Sequence, residues 1–97
     1  MKSFYSDYAE HCMRFYSRYP HPKFRNFVDK QNWNACDYAI KLFTNDEQII
    51  LMRVYSEGDT IPDNVYHIAK EKDMQQDRIW KLVNELERKV AKRRGLL

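Results

Sequence analysis

The last quarter of the chain concentrates side chains that form hydrogen bonds and ion pairs. Carboxamides place a donor beside an acceptor, whereas lysine and arginine supply donors only and carry positive charge. Such a set favours the binding of flat polar edges and of anions rather than the breaking of bonds. The candidate binding residues are Gln75, Gln76, Arg78, Trp80, Lys81, Asn84, Arg88, Lys89, Lys92, Arg93 and Arg94.

The distribution of charge along the chain also points to this end. The 97 residues carry a net charge of +3. Residues 44–77 contain three Lys/Arg and eight Asp/Glu, a balance of −5, whereas residues 78–97 contain seven and two, a balance of +5. Residues 1–43 contain seven and four, a balance of +3. A basic segment of this kind either binds a polyanion or forms a solvated helical tail.

Catalytic and metal-binding patterns are weak by comparison. The sequence has no nucleophile motif, no glycine-rich phosphate loop and no paired carboxylates beyond ordinary surface charge. His11, Cys12, His21 and Cys36 match no zinc-ligand spacing, and adjacent side chains such as His11 and Cys12 rarely reach one ion. We therefore expect a protein that is not an enzyme and that uses neither a cofactor nor a metal.

The cysteines and the apolar segments predict the cellular setting. Cys12 and Cys36 fit no disulfide framework. No apolar run approaches the roughly 18 residues that span a bilayer, and the N-terminus lacks a signal-peptide core. These features predict a reduced, cytoplasmic setting and no membrane partner.

Composition favours one all-α domain covering residues 1–97. Two glycines and three prolines leave few turn residues for a sheet, and a hydrophobic content of 43% is enough for one core. Apolar periodicity predicts about five helices, of which the last is long. They cover residues 3–19, 32–43, 44–55, 62–72 and 75–93, with a break near residues 30–32.

Local signals mark several helix ends. Pro20 and Pro22 end the first predicted helix, because proline neither donates the helical hydrogen bond nor permits a helical residue before it. Thr44 and Glu47 have the spacing of a capping box at the start of the third. Pro62 suits the first turn of the fourth.

The first predicted helix has a wide apolar face. Its stripe at helical spacing is widened by Tyr5 and Tyr16, and packing into a core is its simplest interpretation. The excess width also predicts a homodimer through residues 1–19, with the same patch on both copies. The stripe itself contains Phe4, Tyr8, Cys12, Phe15 and Tyr19. Residues 1–43 thus form an aromatic N-terminal part that precedes residues 44–97.

Residues 65–84 carry the most specific pattern. Two short helices that cross need a small residue at the crossing and apolar residues on both inner faces. Ala69 supplies the small residue. The apolar positions are Ile68, Met74, Ile79 and Leu82.

These positions resemble the helix-turn-helix family of DNA-binding proteins, which has apolar residues at the fourth, tenth, fifteenth and eighteenth places and alanine at the fifth. The capped helix at residues 44–55, the loop after it and the segment IAKEKDMQQDRIWKLVNELERKVAKRRG also resemble the C-terminal promoter-recognition region of bacterial sigma factors. The similarity covers residues 44–95. The ninth place, where the family usually has glycine in a left-handed turn, is Asp73, and the eighth, commonly apolar in the family, is Lys72, whose aliphatic stem is expected to cover the core. It implies a small DNA-binding regulator of the phage or mobile-element type.

In the docking mode that this resemblance implies, the N-terminal part of the last helix enters the major groove. Gln76 and Asn84 then pair with adenine and Lys81 with guanine. Phosphate contacts are expected from Arg78, Arg88, Lys89, Lys92, Arg93 and Arg94, and the core-facing stripe from Ile79, Leu82, Val83, Leu86 and Val90.

Three of the residues in this helix have other interpretations. Asp77 stabilises the positive end of the helix rather than reading cytosine. Lys89 pairs with Glu85 one turn away on the surface. Trp80 either packs against the other helices or touches a sugar.

Three functional hypotheses follow. The first is sequence-specific binding of duplex DNA in transcriptional regulation, with RNA polymerase or another transcription protein as a further partner. The alternative is a helical protein-interaction adaptor without DNA contact, which binds through the acidic residues 44–77. The third is a structural helical dimer built on the aromatic first helix.

Overall fold

The computed structural model describes residues 4–19 and 23–97, and within them the chain forms five helices and no strand. This confirms the prediction of an all-α chain with a long last helix. The predicted first residue of the first helix, residue 3, and the prolines at 20 and 22 lie outside the described residues. The helices are α1 (Phe4–Arg18), α2 (Phe27–Ile40), α3 (Asn45–Ser56), α4 (Ile61–Lys72) and α5 (Gln76–Arg93).

The starts of α3 and α4 follow their capping signals. The Thr44 hydroxyl accepts a hydrogen bond from the Glu47 amide at 3.2 Å, and the Glu47 carboxylate accepts one from the Thr44 amide at 2.9 Å. Thr60 caps α4 by accepting from the Asp63 amide at 3.3 Å, and Pro62 lies in the first turn. These bonds satisfy amides that have no partner within the helix, so both predicted starts are confirmed.

The second helix begins earlier than its apolar stripe predicts. The break expected near residues 30–32 is wrong, because α2 runs without interruption from Phe27 to Ile40 and Asn26 caps it by accepting from the Asp29 amide at 2.9 Å. The side chains of Phe27 and Val28 are 70% and 52% exposed, so this first turn adds little to the core. The cap and the backbone hydrogen bonds, rather than burial, hold this first turn.

The first helix buries only part of the predicted apolar face. α1 packs against α2, α3 and α5, and its buried side chains are Ala9, Cys12, Met13 and Tyr16. Ala9 and Cys12 are small and let the neighbouring helices approach closely, while Met13 and the Tyr16 ring fill the space beside them. The other described rings of the predicted face stay partly or largely exposed. Tyr8 and Phe15 are half-buried and Tyr19 is 54% exposed, while the side chain of Phe4 lies outside the described residues.

The core contains one buried carboxylate that the apolar pattern does not predict. Glu87 of α5 is only 4% exposed. Tyr55 of α3 donates to it at 2.8 Å, and the Ser6 hydroxyl of α1 donates to its other oxygen. Burial, and then the neighbouring Glu87, raise the pKa of Tyr55 well above its usual range. Because a buried carboxylate is tolerated only when it is hydrogen-bonded, Glu87 fixes the register of α1, α3 and α5.

A buried amide holds the loop between α3 and α4. The side-chain amide of Asn64 is fully buried and donates to the carbonyl of Val54 at 2.8 Å. It also donates to the carbonyls of Glu57 and Asp59, both at 3.2 Å. These carbonyls lie at or beyond the end of α3, where no helical donor is available. Asn64 therefore sets the position of α4 relative to α3.

The described residues contain neither a membrane-spanning helix nor a cluster of metal ligands. None of the helices there is both long and apolar enough to span a membrane. The same residues include no group of three or more His, Cys, Asp and Glu side chains that could hold a metal ion. Cys12 and Cys36 are free thiols buried in the core, and His21 lies outside the described residues.

Candidate nucleic-acid interface

A short turn, residues 73–75, joins α4 to α5 and sets the direction of the last helix. The residues expected to pack the two helices together are placed as predicted. Ile68 and Ile79 are fully buried and Ala69 is 4% exposed, while Met74 and Leu82 are half-buried against the core. The helix pair is thus anchored on one side, and the opposite side of α5 is exposed.

The turn depends on a residue in the left-handed conformation. Asp73 has φ 55° and ψ 48°, as its place in the pattern predicts. The Met74 amide donates to the Ala69 carbonyl at 2.9 Å and closes α4. The end of α5 uses the same bond pattern, with Gly95 at φ 78° and the Leu96 amide donating to Ala91 at 2.8 Å. One turn has the usual glycine, whereas the other has aspartate.

Replacing Asp73 with glycine is expected to stabilise the protein. Glycine has no Cβ to strain the left-handed conformation, so Asp73→Gly is expected to raise the free energy of unfolding by about 0.5–1 kcal/mol. Thermal denaturation followed by circular dichroism measures this. Asp73→Ala is the matched control and is expected to lower the melting temperature. A glycine variant less stable than the parent would contradict the role assigned to this turn.

The outward side of α5 carries a row of exposed side chains, here called the basic face: Arg78, Lys81, Asn84, Arg88 and Lys92. The exposed carboxylates of Asp77 and Glu85 lie on the same side of the helix, so the cations outnumber the acidic groups there by four to two. At 1.5 Å of rise per residue, Lys81 lies about 10 Å from Arg88 along the axis, and Arg88 about 6 Å from Lys92. The major groove of DNA is about 12 Å wide. The row is therefore long enough to reach from base edges inside a groove to a phosphate backbone beside it.

Carboxamides stand at the N-terminal end of this face. Gln75 immediately precedes α5, is exposed and makes no side-chain capping bond. Gln76 is exposed in the first turn of the helix. Asp77 is also exposed in that turn, where its charge is favourable to the helix dipole. The two predicted adenine-reading positions, Gln76 and Asn84, thus both lie on the accessible part of α5.

Three of the predicted contact residues make contacts with other residues of the protein itself. Trp80 is half-buried and packs against the core, which favours its structural interpretation. The ammonium group of Lys89 lies 3.7 Å from the carboxylate of Glu85. The guanidinium of Arg94 turns towards α2, where it donates to Asn32 at 2.7 Å and to Gln31 at 3.0 Å. Arg94 therefore ties the end of α5 to α2.

Arg93 has a partner that the sequence pattern does not predict. Its guanidinium carbon lies 4.3 Å from the centre of the Tyr38 ring, in a cation–π contact. Arg93 is exposed, and the Tyr38 side chain is 50% exposed. The sequence does not predict this contact, because only the packing of α2 against α5 brings the two residues together.

A groove of about 850 Å³ runs between the start of α3 and α5. Lys72 is exposed here rather than covering the core, and it lines the groove with Arg78 and Lys81. Lys72 is thus a third cation beside the N-terminal half of α5. The sequence signal for it is its charge at a position that is commonly apolar in helix-turn-helix proteins. Asp46 and Glu47 line the other side.

Comparison with protein-family models, curated proteins and solved structures gives no match to this chain.

Proposed function

We propose that this protein binds duplex DNA through the basic face of α5 and regulates transcription in a bacterium, a phage or a mobile element. The observation that carries this proposal is that Lys81, Arg88 and Lys92 lie exposed in one row on a helix whose other side is buried. A helix anchored in this way presents its cations without losing its own packing. Duplex DNA matches the row in charge and in groove width.

The two halves of α5 have different tasks in this proposal. Gln76, Lys81 and Asn84 belong to the N-terminal half, and their carboxamides and ammonium group match the major-groove edges of adenine and guanine. Arg88 and Lys92 lie further along the helix and contact phosphates, which position the protein without reading the sequence.

The acidic surface is less available than its sequence suggests, which favours DNA over the adaptor alternative. Arg53 donates to both carboxylate oxygens of Glu71 and to Glu57 at 2.9 Å. The hydrogen bond from Arg53 lowers the pKa of Glu71. Glu47 is engaged in the capping box. Part of the negative charge in residues 44–77 is therefore compensated within the protein.

The proposal includes a cellular setting and further partners. Such a regulator acts in the cytoplasm, and RNA polymerase or another transcription protein is the further partner it would meet. A homodimer through residues 1–19 would supply the two-fold symmetry of many helix-turn-helix proteins. Light scattering tests the dimer, and a monomer mass at every concentration would contradict it.

The salt dependence of binding to a mixed-sequence duplex tests DNA binding itself. Each neutralised phosphate releases counterions, so three contacts from Arg78, Arg88 and Lys92 predict a slope of about −3 in a plot of log affinity against log salt concentration. Fluorescence anisotropy with a labelled duplex measures the affinities. Failure to bind the duplex even at low salt would contradict the proposal and favour the adaptor.

A further inference from the structure

We propose that Tyr38 of α2 belongs to the DNA-contacting surface, where it holds Arg93 in place to bind a backbone phosphate. This inference rests on the proposed function and extends the interface from α5 onto a second helix. Tyr38 acts as a positioning residue: its ring contacts Arg93, and Arg93 contacts the phosphate.

The geometry of the pair supports this role. The Arg93 guanidinium lies over the Tyr38 ring at 4.3 Å from its centre. An aromatic face binds the flat surface of a guanidinium and leaves its N–H groups pointing outward at the edge. Those N–H groups form the fork that matches two oxygens of a phosphate. Since the ring already restricts the long side chain, less conformational entropy is lost when the phosphate binds.

The surroundings of the pair continue the basic face. Tyr38, Leu42, Lys89, Lys92 and Arg93 line one shallow groove of about 410 Å³ at the seam between α2 and α5. Lys92 belongs to both this groove and the basic face, so the two surfaces are continuous. The groove contains three cations and no acidic side chain among its lining residues, and in the described part of the chain only one of the three, Lys89, has a carboxylate nearby, that of Glu85 at 3.7 Å.

Positive charge and continuity with the proposed interface select a DNA backbone as the occupant. Phosphates further along the strand that Arg88 and Lys92 contact would lie next to this seam. An acidic peptide that packs on Tyr38 and Leu42 would also bring negative charge to this groove, but its binding would not require contacts with the basic face. The test below separates the two.

Four proteins test the proposal by the affinity and salt slope of duplex binding: the parent, Arg93→Ala, Tyr38→Ala and Tyr38→Phe. Arg93→Ala is expected to lower the magnitude of the slope by about 0.9, the value for one phosphate. Tyr38→Ala is expected to weaken binding about two- to fivefold. Tyr38→Phe keeps the ring and is expected to bind like the parent. Circular dichroism melts verify that each variant is folded.

A double variant completes the design. If Tyr38 acts through Arg93, adding Tyr38→Ala to Arg93→Ala has little further effect. An equal loss of duplex affinity on adding Tyr38→Ala to the parent and to Arg93→Ala would overturn the proposal. Parental duplex affinity of the Tyr38→Ala variant would also overturn it and would favour an acidic peptide as the occupant of the seam. The two proposals fail in different ways: a parent protein that binds no duplex contradicts DNA binding itself, whereas a parent that binds with no effect of Tyr38 contradicts only this inference.

Discussion

Replacing Leu86 with alanine is expected to lower the free energy of unfolding by about 2–5 kcal/mol. Leu86 is fully buried in α5, in the part of the core where this helix meets the rest of the protein. The substitution removes apolar contacts and leaves a cavity that the surrounding helices fill only in part. In a domain of this size the melting temperature should fall by roughly 10 °C or more. Thermal and urea denaturation measure the loss.

Leu82→Ala is the matched control, because it makes the same chemical change on the same helix. Leu82 is only half-buried and borders the groove between α3 and α5, so less apolar surface is lost and water can fill the space. A smaller loss of stability is expected for this variant. Equal losses at the two positions would contradict the orientation of α5 described here.

Replacing Lys81 and Arg88 together with alanine is expected to weaken duplex binding by at least tenfold while leaving the melting temperature nearly unchanged. Both side chains are exposed, and surface substitutions of this kind usually change stability by less than about 0.5 kcal/mol. A base contact such as the one assigned to Lys81 contributes about 1–3 kcal/mol of discrimination. Loss of the phosphate contact of Arg88 reduces the salt slope by about 0.9.

The control removes two positive charges elsewhere on the surface. Lys23 and Lys30 are exposed cations before and within α2. Lys30 is adjacent to Gln31, which accepts a hydrogen bond from Arg94 just after the C-terminal end of α5, so it lies far from the N-terminal half of that helix. Lys23→Ala/Lys30→Ala is expected to retain most of the affinity. If both double variants lose the same amount, net charge rather than the basic face determines binding, and the assignment of Lys81 and Arg88 is wrong.

The parts of the fold that local chemistry controls were predictable from the sequence. The capping box of Thr44 and Glu47 specifies the start of α3 with only four residues, so no tertiary information is needed. The left-handed conformation of Asp73 was expected from the resemblance, which has a left-handed residue, usually glycine, at this position of the turn. Both features could be predicted because neither depends on which helix packs beside it.

The parts that depend on tertiary packing were not predictable. Glu87 falls on the core-facing side of α5, and its burial is possible only because Tyr55 and Ser6 arrive from other helices to bond it. The buried face of α1 was only partly predicted for the same reason. Periodicity correctly placed Cys12 and Tyr16 on the apolar face, but the neighbouring helices bury Ala9 and Met13 with them and leave Tyr19 exposed.

The candidate site shows the same division. Helical projection places Lys81, Asn84 and Arg88 on the outward side of α5, and the structure exposes all three. It does not predict that Arg94 turns to Asn32 or that Arg93 rests on Tyr38, because the sequence does not show where α2 lies relative to the end of α5. The exposed row on α5 can be predicted from one helix, whereas the contacts of Arg93 and Arg94 depend on how α2 packs against α5.

The most direct test of DNA binding through the basic face of α5 is a map of amide chemical shifts during titration with a short mixed-sequence duplex at low salt. The largest changes are expected along the outward side of α5, at Gln76, Lys81, Asn84 and Arg88, with smaller changes in the buried part of the helix. Changes centred on the part of the acidic residues 44–77 that lies outside α5, or no changes at any duplex concentration, would contradict the account.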